Sequence, residues 1–235
     1  MDFSAFSDAA FWAAPLLSII IANILLSGDN AVVIALASRN LPAEQQKKAI
    51  FWGSAAAIIL RVILTVTAVQ LLSLPYLKIV GAILLVYIGV QLLADSDEEE
   101  EMDGHSNIWA AIRTILVADL VMSLDNVIAV AAAAQKGPEE TRLILLIIGL
   151  GLSIPLIIFG STMLLKVMDR FPIIITLGAG LLGLLAGGML VEDPAIKDSI
   201  QEAMSDAHMI FEGIGVSIVI LLGTYLKKKN AAKEV

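Results

Sequence analysis

Two short stretches set carboxylate and amide side chains inside otherwise apolar sequence. Residues 27–32 read SGDNAV and residues 123–128 read SLDNVI. At a common offset of 96 residues, Ala22 falls on Ala118, Asn23 on Asp119, Ser27 on Ser123, Asp29 on Asp125 and Asn30 on Asn126. Carboxylate and amide oxygens are hard ligands, suited to Mg2+, Ca2+ or Mn2+. The chain has no cysteine, and no histidine stands near these stretches, so a zinc or copper site is disfavoured. Met122 follows Asp119 by three residues, on the same helical face. A thioether among oxygens would favour a softer transition metal; the plainer reading of Met122 is packing, the ordinary use of methionine.

The cost of such groups argues that they have a use. A carboxylate at the centre of a membrane helix costs about 2.5–3.5 kcal/mol, so Asp29, Asp119 and Asp125 facing lipid unpaired would cost on the order of 10 kcal/mol. They must face the bundle interior, a partner or an ion. A purely structural account pairs them with Arg61, the one basic residue deep in an apolar span. It covers one or two carboxylates, not three arranged by a repeat. Asn23, Ser27 and Asn30 recur at i, i+4 and i+7 on one face, as do Asp119, Ser123 and Asn126. Asp29 and Asp125 lie about 100° round from the neighbouring asparagine in a regular helix. Gly28 offers the first helix a place to unwind and turn Asp29 and Asn30 inward together. Leu124 replaces that glycine in the second copy, so the two need not be equally broken. In each copy the two polar positions lie about 9 Å apart along the helix. Antiparallel spans with a midplane near residues 26 and 122 then put Asp29 level with Asp119, and Asn23 level with Asp125.

The elements that carry these residues follow from composition. The 235 residues are 58% hydrophobic, only 16% charged, and have a mean hydropathy of +0.89. Soluble domains carry about a quarter charged residues. The apolar excess falls in blocks of about twenty residues, the signature of transmembrane helices. Seven spans are expected, near 11–37, 49–73, 76–94, 108–134, 142–165, 172–191 and 207–226. The predicted fold class is therefore all-α, a polytopic membrane protein in one transmembrane domain. Pro42, Pro75, Pro138, Pro172 and Pro194 sit in or beside the joints. Pro155 lies mid-span, near Gly149, Gly151 and Ser153, which predicts a kink or break there.

Orientation follows from Lys and Arg. With the N-terminus outside, the cytoplasmic segments hold Arg39, Lys47, Lys48, Arg113, Lys166, Arg170, Lys227, Lys228, Lys229 and Lys233. The external segments hold only Lys78, Lys136, Arg142 and Lys197. N-out, C-in is favoured. The segment 95–107 then forms an acidic cytoplasmic loop, with seven acidic groups in DSDEEEEMD at 95–103. That run explains most of the net charge of −8; it gathers cations by its field or is a solvated run. Nothing points to nucleic acid, and the N-terminus lacks the basic region of a secretory signal.

The repeat organises the rest. Residues 11–94 form a first three-helix unit and 108–191 a second, with 207–226 as an added seventh helix. Gly81 falls near Gly178, and both third spans end acidic, at Asp95/Asp97 and Glu192/Asp193. A unit with an odd number of spans inserts its second copy upside down, giving an inverted repeat about an axis in the membrane plane, as in many secondary transporters. Weaker candidates lie elsewhere. Arg61 is a gate or counter-charge for an emptied site, or a structural ion pair. His208 and Glu212 line an external vestibule or mark a hydrated helix end. Gln70, Tyr87 and Gln91 are candidate interhelical hydrogen bonders. No nucleophile–base arrangement or phosphate-cradling loop is visible, so an enzyme is not expected.

SGDNAVVIALASRNLP and ADLVMSLDNVIAVAAAAQ resemble the paired motifs of the TerC family of integral membrane proteins, and the resemblance covers nearly the whole chain. It implies membership of the LysE-like transporter superfamily and a role in metal-ion homeostasis, chiefly manganese efflux. Carried over by motif, the metal residues would be Asp29, Asn30, Asp119, Asp125 and Asn126. Asn23, standing where the second copy has Asp119, joins them in a site that is not fully symmetric. Met122, Ser27, Ser123 and Arg61 are further candidates. The expectation is a multi-pass exporter of Mn2+ in the bacterial cytoplasmic membrane, working by alternating access, with coupling to proton entry as an option. Its partners would be the lipid bilayer, the metal ion and a second copy of the chain, with no organic cofactor. The alternatives are export of another small solute or cation, such as an amino acid or Ca2+, or an accessory role delivering metal to secreted proteins.

Overall fold

Long runs of Leu, Ile, Val and Ala without a polar face leave the backbone to satisfy its own hydrogen bonds, which in an apolar solvent a helix does within one segment. The computed structural model describes residues 9–25, 28–71, 74–94, 104–134, 141–204 and 206–232. Among these residues the regular secondary structure is helical throughout. The elements are α1 (Ala9–Leu25), α2 (Gly28–Ser38), α3 (Ala43–Leu71), α4 (Leu77–Ala94), α5 (Gly104–Ala134), α6 (Arg142–Gly151), α7 (Ile154–Arg170), α8 (Ile173–Val191), α9 (Lys197–Ala203) and α10 (Ala207–Ala231).

Among the described residues, five helices are long and apolar enough to cross a membrane: Ala43–Val66, Leu77–Ala94, Arg142–Arg170, Ile173–Val191 and Ala207–Ala231. A sixth span results if Pro15–Asn23 and Gly28–Ser38, whose directions differ by 46°, are taken together. The seven-span expectation includes α5 as well; that helix has 31 residues but stands outside this count. It begins at Gly104 and so reaches into the polar segment read from sequence as loop. The acidic run at 95–103 lies outside the described residues.

The expected break near Pro155 falls between α6 and α7. Leu152 and Ser153 keep right-handed helical angles, and Pro155 occupies the first turn of α7, where its missing N–H costs little. The Ser153 hydroxyl donates to the carbonyl of Gly149 at 3.2 Å. The interruption is mild enough for Arg142–Arg170 to count as one span.

Two groups of helices emerge from the packing. α3 lies along α5, α2 along α7, and α1 along both α5 and α6. α4, α8 and α10 pack on one another. Backbones approach closely between α8 and α10. A Cβ on Gly183 would collide with the Gly215 carbonyl, one on Gly187 with the Phe211 carbonyl, and one on Gly215 with the Gly183 carbonyl. Small residues serve this purpose in membranes, where helices associate by close contact rather than by exclusion of water. Glycines also mark where the groups meet: Gly81 of α4 packs on Val121 of α5, and Gly178 of α8 on Val32 and Leu36 of α2.

α4 is fastened at both ends. At its start, the Asp193 carboxylate accepts the backbone N–H of Tyr76 at 2.9 Å, of Lys78 at 3.0 Å and of Ile79 at 3.2 Å. It also accepts that of Ala195 at 2.8 Å, in its own loop. Near its end, the Arg39 guanidinium donates to the Leu92 carbonyl at 2.7 Å. An anion at a helix N-terminus and a cation at its C-terminus both suit the helix dipole.

Candidate functional site

Among the described residues, Arg61 is the largest fully buried side chain, with 1% of its surface exposed. It sits on α3, whose Thr65 hydroxyl donates to the Arg61 carbonyl at 2.7 Å one turn on. A guanidinium has five donors and no acceptor, so a buried one must be surrounded by oxygens. Nε donates to the Ser123 hydroxyl at 3.0 Å. One terminal nitrogen donates to Asn23 Oδ1 at 2.7 Å. The other pairs with Asp119 Oδ1. The Ser123 hydroxyl in turn donates to Asp119 Oδ2 at 3.2 Å. Asp119 and Ser123 stand at i and i+4 on α5, which is why one guanidinium reaches both. Asn23 comes from α1. Three helices thus converge on one cation, and Asn23, Asp119 and Ser123 are all buried.

The first copy of the motif is built differently. Asp29 and Asn30 fall in the first turn of α2. A helix that begins within a span leaves its first N–H groups without intrahelical acceptors. Asp29 Oδ1 accepts the Asn30 N–H at 2.9 Å. Asp29 is half-buried and Asn30 buried, and Asp29 lies within electrostatic reach of Arg61 and Asp119. Asn126 is half-buried on α5, a turn beyond Met122. Met122 itself packs in the main apolar core with Val121 and Leu124. The side chain of Asp125 and the whole of Ser27 lie outside the described residues.

So the structure gathers Asn23, Arg61, Asp119 and Ser123 into one hydrogen-bonded cluster, with Asp29 close enough to feel its charge. Asn23 meets the cluster of Asp119, its own counterpart in the repeat. Among the described residues, no three His, Cys, Asp or Glu side chains come together as a metal cluster.

A second polar cluster lies at the starts of α4 and α10 and the end of α8; the sequence reading named its His208 and Glu212 as vestibule or helix-end residues, and noted Glu192 and Asp193 only as acidic. Lys78 Nζ pairs with Glu192 at 2.9 Å. His208 bridges Glu192 at 3.3 Å and Glu212 at 3.2 Å. The ring packs over Gly188, whose hydrogen leaves the room a Cβ would fill. His208 is half-exposed at the start of α10, where it meets the end of α8. Burial alone would raise the Asp193 carboxyl, but its four backbone N–H bonds outweigh that and hold it below the ordinary Asp range. Burial likewise opposes the lowering at Glu192, which Lys78 and His208 bring about. The signal for Asp193 was present in sequence as the acid after span six. Its partner, the Leu-Pro-Tyr turn before α4, lies more than a hundred residues away.

Apolar spans with an ion pair and amides at their centre define an integral membrane protein with a polar interior. The model of the family described as "Integral membrane protein TerC family" matches residues 8–231, and the chain belongs to that family. It is 44% identical over 213 residues to the uncharacterized membrane protein YjbE of Bacillus subtilis, covering 91% of this chain and 95% of the relative. It is 28% identical to YceF of the same organism, over 72% of this chain and 67% of that one. It is 21% identical to the inner membrane protein YoaE of Escherichia coli, over 95% of this chain but 44% of the longer relative. No solved structure matches.

Proposed function

We propose that this protein is a carrier that exports a divalent cation, Mn2+, across the bacterial cytoplasmic membrane by alternating access. The observation that carries the proposal is the buried Asp119, joined through one guanidinium to Asn23 and Ser123, with Asp29 in electrostatic reach. An intramembrane carboxylate marks an ion or substrate path by default, and oxygen donors suit Mn2+ as a hard divalent ion. Manganese, rather than Ca2+ or Mg2+, comes from the resemblance of the two motifs. Asp29, Asn30, Asp119, Asp125, Asn126 and Asn23 are the proposed ligands, drawn from a set that need not bind all at once.

The proposed architecture has seven spans: the bent pair α1–α2, then α3, α4, α5, the pair α6–α7, α8 and α10. The reciprocity of packing supports an inverted repeat. α3 lies on α5 as α6 and α7 lie on α1 and α2, and α4 meets α5 as α8 meets α2. In that reading Asn23 and Arg61 come from one repeat, and Asp119 and Ser123 from the other. The excess of Lys and Arg in segments 39–48, 166–170 and 227–229 supports a cytoplasmic C-terminus. Ligation needs deprotonated carboxylates, so proton entry could drive the return of an emptied site.

Arg61 also invites a second reading, export of a solute bearing a carboxylate. Asp119 already occupies the guanidinium face such a substrate would need. Mn2+ flux from proteoliposomes tests both. Wild type should carry Mn2+, and Asp29→Asn, Asp119→Asn and Asp125→Asn should each lower the rate by about tenfold or more, the scale of losing one charged ligand contact. Flux unchanged in all three variants would overturn the proposal. Flux indifferent to a pH gradient would remove proton coupling alone.

A further inference from the structure

We infer that Arg61 is a tethered cation that takes the place of the transported ion whenever the site is empty. The inference rests on the export reading above and adds a step to it. Its basis is that one set of oxygens has two claimants. Asn23 Oδ1, the Ser123 hydroxyl oxygen and Asp119 Oδ1 all accept from the Arg61 guanidinium. They are also the oxygens that a cation entering between α1 and α5 would meet. A guanidinium stays charged and offers only donors, so it never ligates a metal. Divalent ions hold carboxylate oxygens at about 2.0–2.6 Å. An ion on Asp119 would set a second positive charge beside the guanidinium on one carboxylate, so the ion favours its displacement and its return favours release of the ion. Ion binding and Arg61 pairing compete.

Two consequences follow. Arg61 lowers the apparent affinity for the ion, because the ion binds best to the fraction of carriers with the guanidinium displaced. Arg61 also lets the empty carrier reorient, because Asp119 is never bare at membrane depth, where an uncompensated carboxylate is expensive. Net export needs that empty return step. Exchange of internal for external ion does not.

The test compares Mn2+ binding, net efflux and Mn2+/Mn2+ exchange in purified, reconstituted wild type, Arg61→Gln, Arg61→Lys and Asp119→Asn. Arg61→Gln should bind Mn2+ about tenfold more tightly, with the ratio of net efflux to exchange falling about tenfold. A residue that merely shapes the site would loosen binding and lower both fluxes together, and that result would overturn the inference. Where Arg61→Gln fails to fold, Arg61→Lys decides. A lysine keeps the charge but not the fork, so binding should still tighten while net efflux stays closer to wild type. Unchanged or weaker binding in Arg61→Lys would overturn the inference. Asp119→Asn that binds Mn2+ as well as wild type would overturn this inference alone, whereas wild type that binds no Mn2+ would overturn the export reading and this inference with it.

Discussion

In the first copy of the Asp-Asn motif, two helices meet at 46° and Asp29 falls in the first turn of the second. In the other copy the chain is one 31-residue helix, and Leu124 stands where Gly28 stands in the first. Asp29 and Asp119, which hold different positions of the repeat, accordingly find partners in different ways. A helix start supplies free N–H groups, and Asp29 takes one from Asn30. Inside α5 the neighbouring N–H groups are committed to the helix, so Asp119 must recruit side chains, Arg61 and Ser123. An interrupted helix offers a carboxylate backbone; a continuous one obliges it to find a counter-charge. Asp193 belongs with Asp29 in this respect, since its described partners are all backbone N–H groups.

The largest effect that could break this contrast lies at the ion pair. Arg61→Leu alone and Asp119→Leu alone should each lower stability by about 3–5 kcal/mol, while the double variant should lose less than either, because no buried charge is left over. Thermal unfolding in detergent reads all three; strictly additive losses would mean that the pair is not the unit. Asp193→Asn comes next. An amide nitrogen cannot accept from Lys78 and Ile79, so about 2–3 kcal/mol should go.

The same carboxylate gives a pH signature. Its folded pKa lies below the ordinary value of 3.8, so its stabilisation is complete above that value and is lost as pH falls through the lower folded value. Wild type should lose part of its melting temperature only below about pH 4, and Asp193→Asn should lack that component.

The smallest effects sharpen the contrast at the first copy. A Cβ on Gly28 would meet nothing within 4 Å. Gly28→Ala should therefore fold, with stability changed by no more than about 1 kcal/mol in favour of helix. Mn2+ flux should fall if the interruption matters, and unchanged flux would show that it does not. Asp29→Asn keeps an acceptor for the Asn30 N–H and should cost under about 1 kcal/mol. A loss as large as that of Asp119→Leu would erase the distinction between these two carboxylates.

Much of this was legible beforehand, because lipid demands blocks of apolar residues and makes polar exceptions conspicuous. Asn23, Asp119, Ser123 and Arg61 stood out on cost alone. The break before Pro155 followed from a missing N–H; Gly28, expected to unwind, is instead the first residue of α2, and the residues before it lie outside those described. What could not be read was which exceptions meet. Helices that are apolar all round carry no moment to fix their rotation. Arg61 therefore could not be assigned to Asp119 rather than Asp29, nor Asn23 to the same guanidinium. The Asp193 clasp on the turn before α4 was hidden for a related reason: its partners are backbone groups, which have no letter in the sequence. Tyr76 has a positive φ of 68°, which no local residue preference predicts; its N–H is one of those that Asp193 holds.

That clasp also has a mechanical meaning. With Asp193 gripping one end of α4 and Arg39 the other, the helix is a pinned strut. Sliding it along its axis would break bonds at both ends at once, and because those bonds reach from the ends of α2 and α8, swinging either of them away from α4 would break them too. At Gly81 the missing side chain leaves a notch that Val121 of α5 and Met189 of α8 fill. The chain has in effect lashed α4 to the ends of both α2 and α8, so that these three helices hold one another in register.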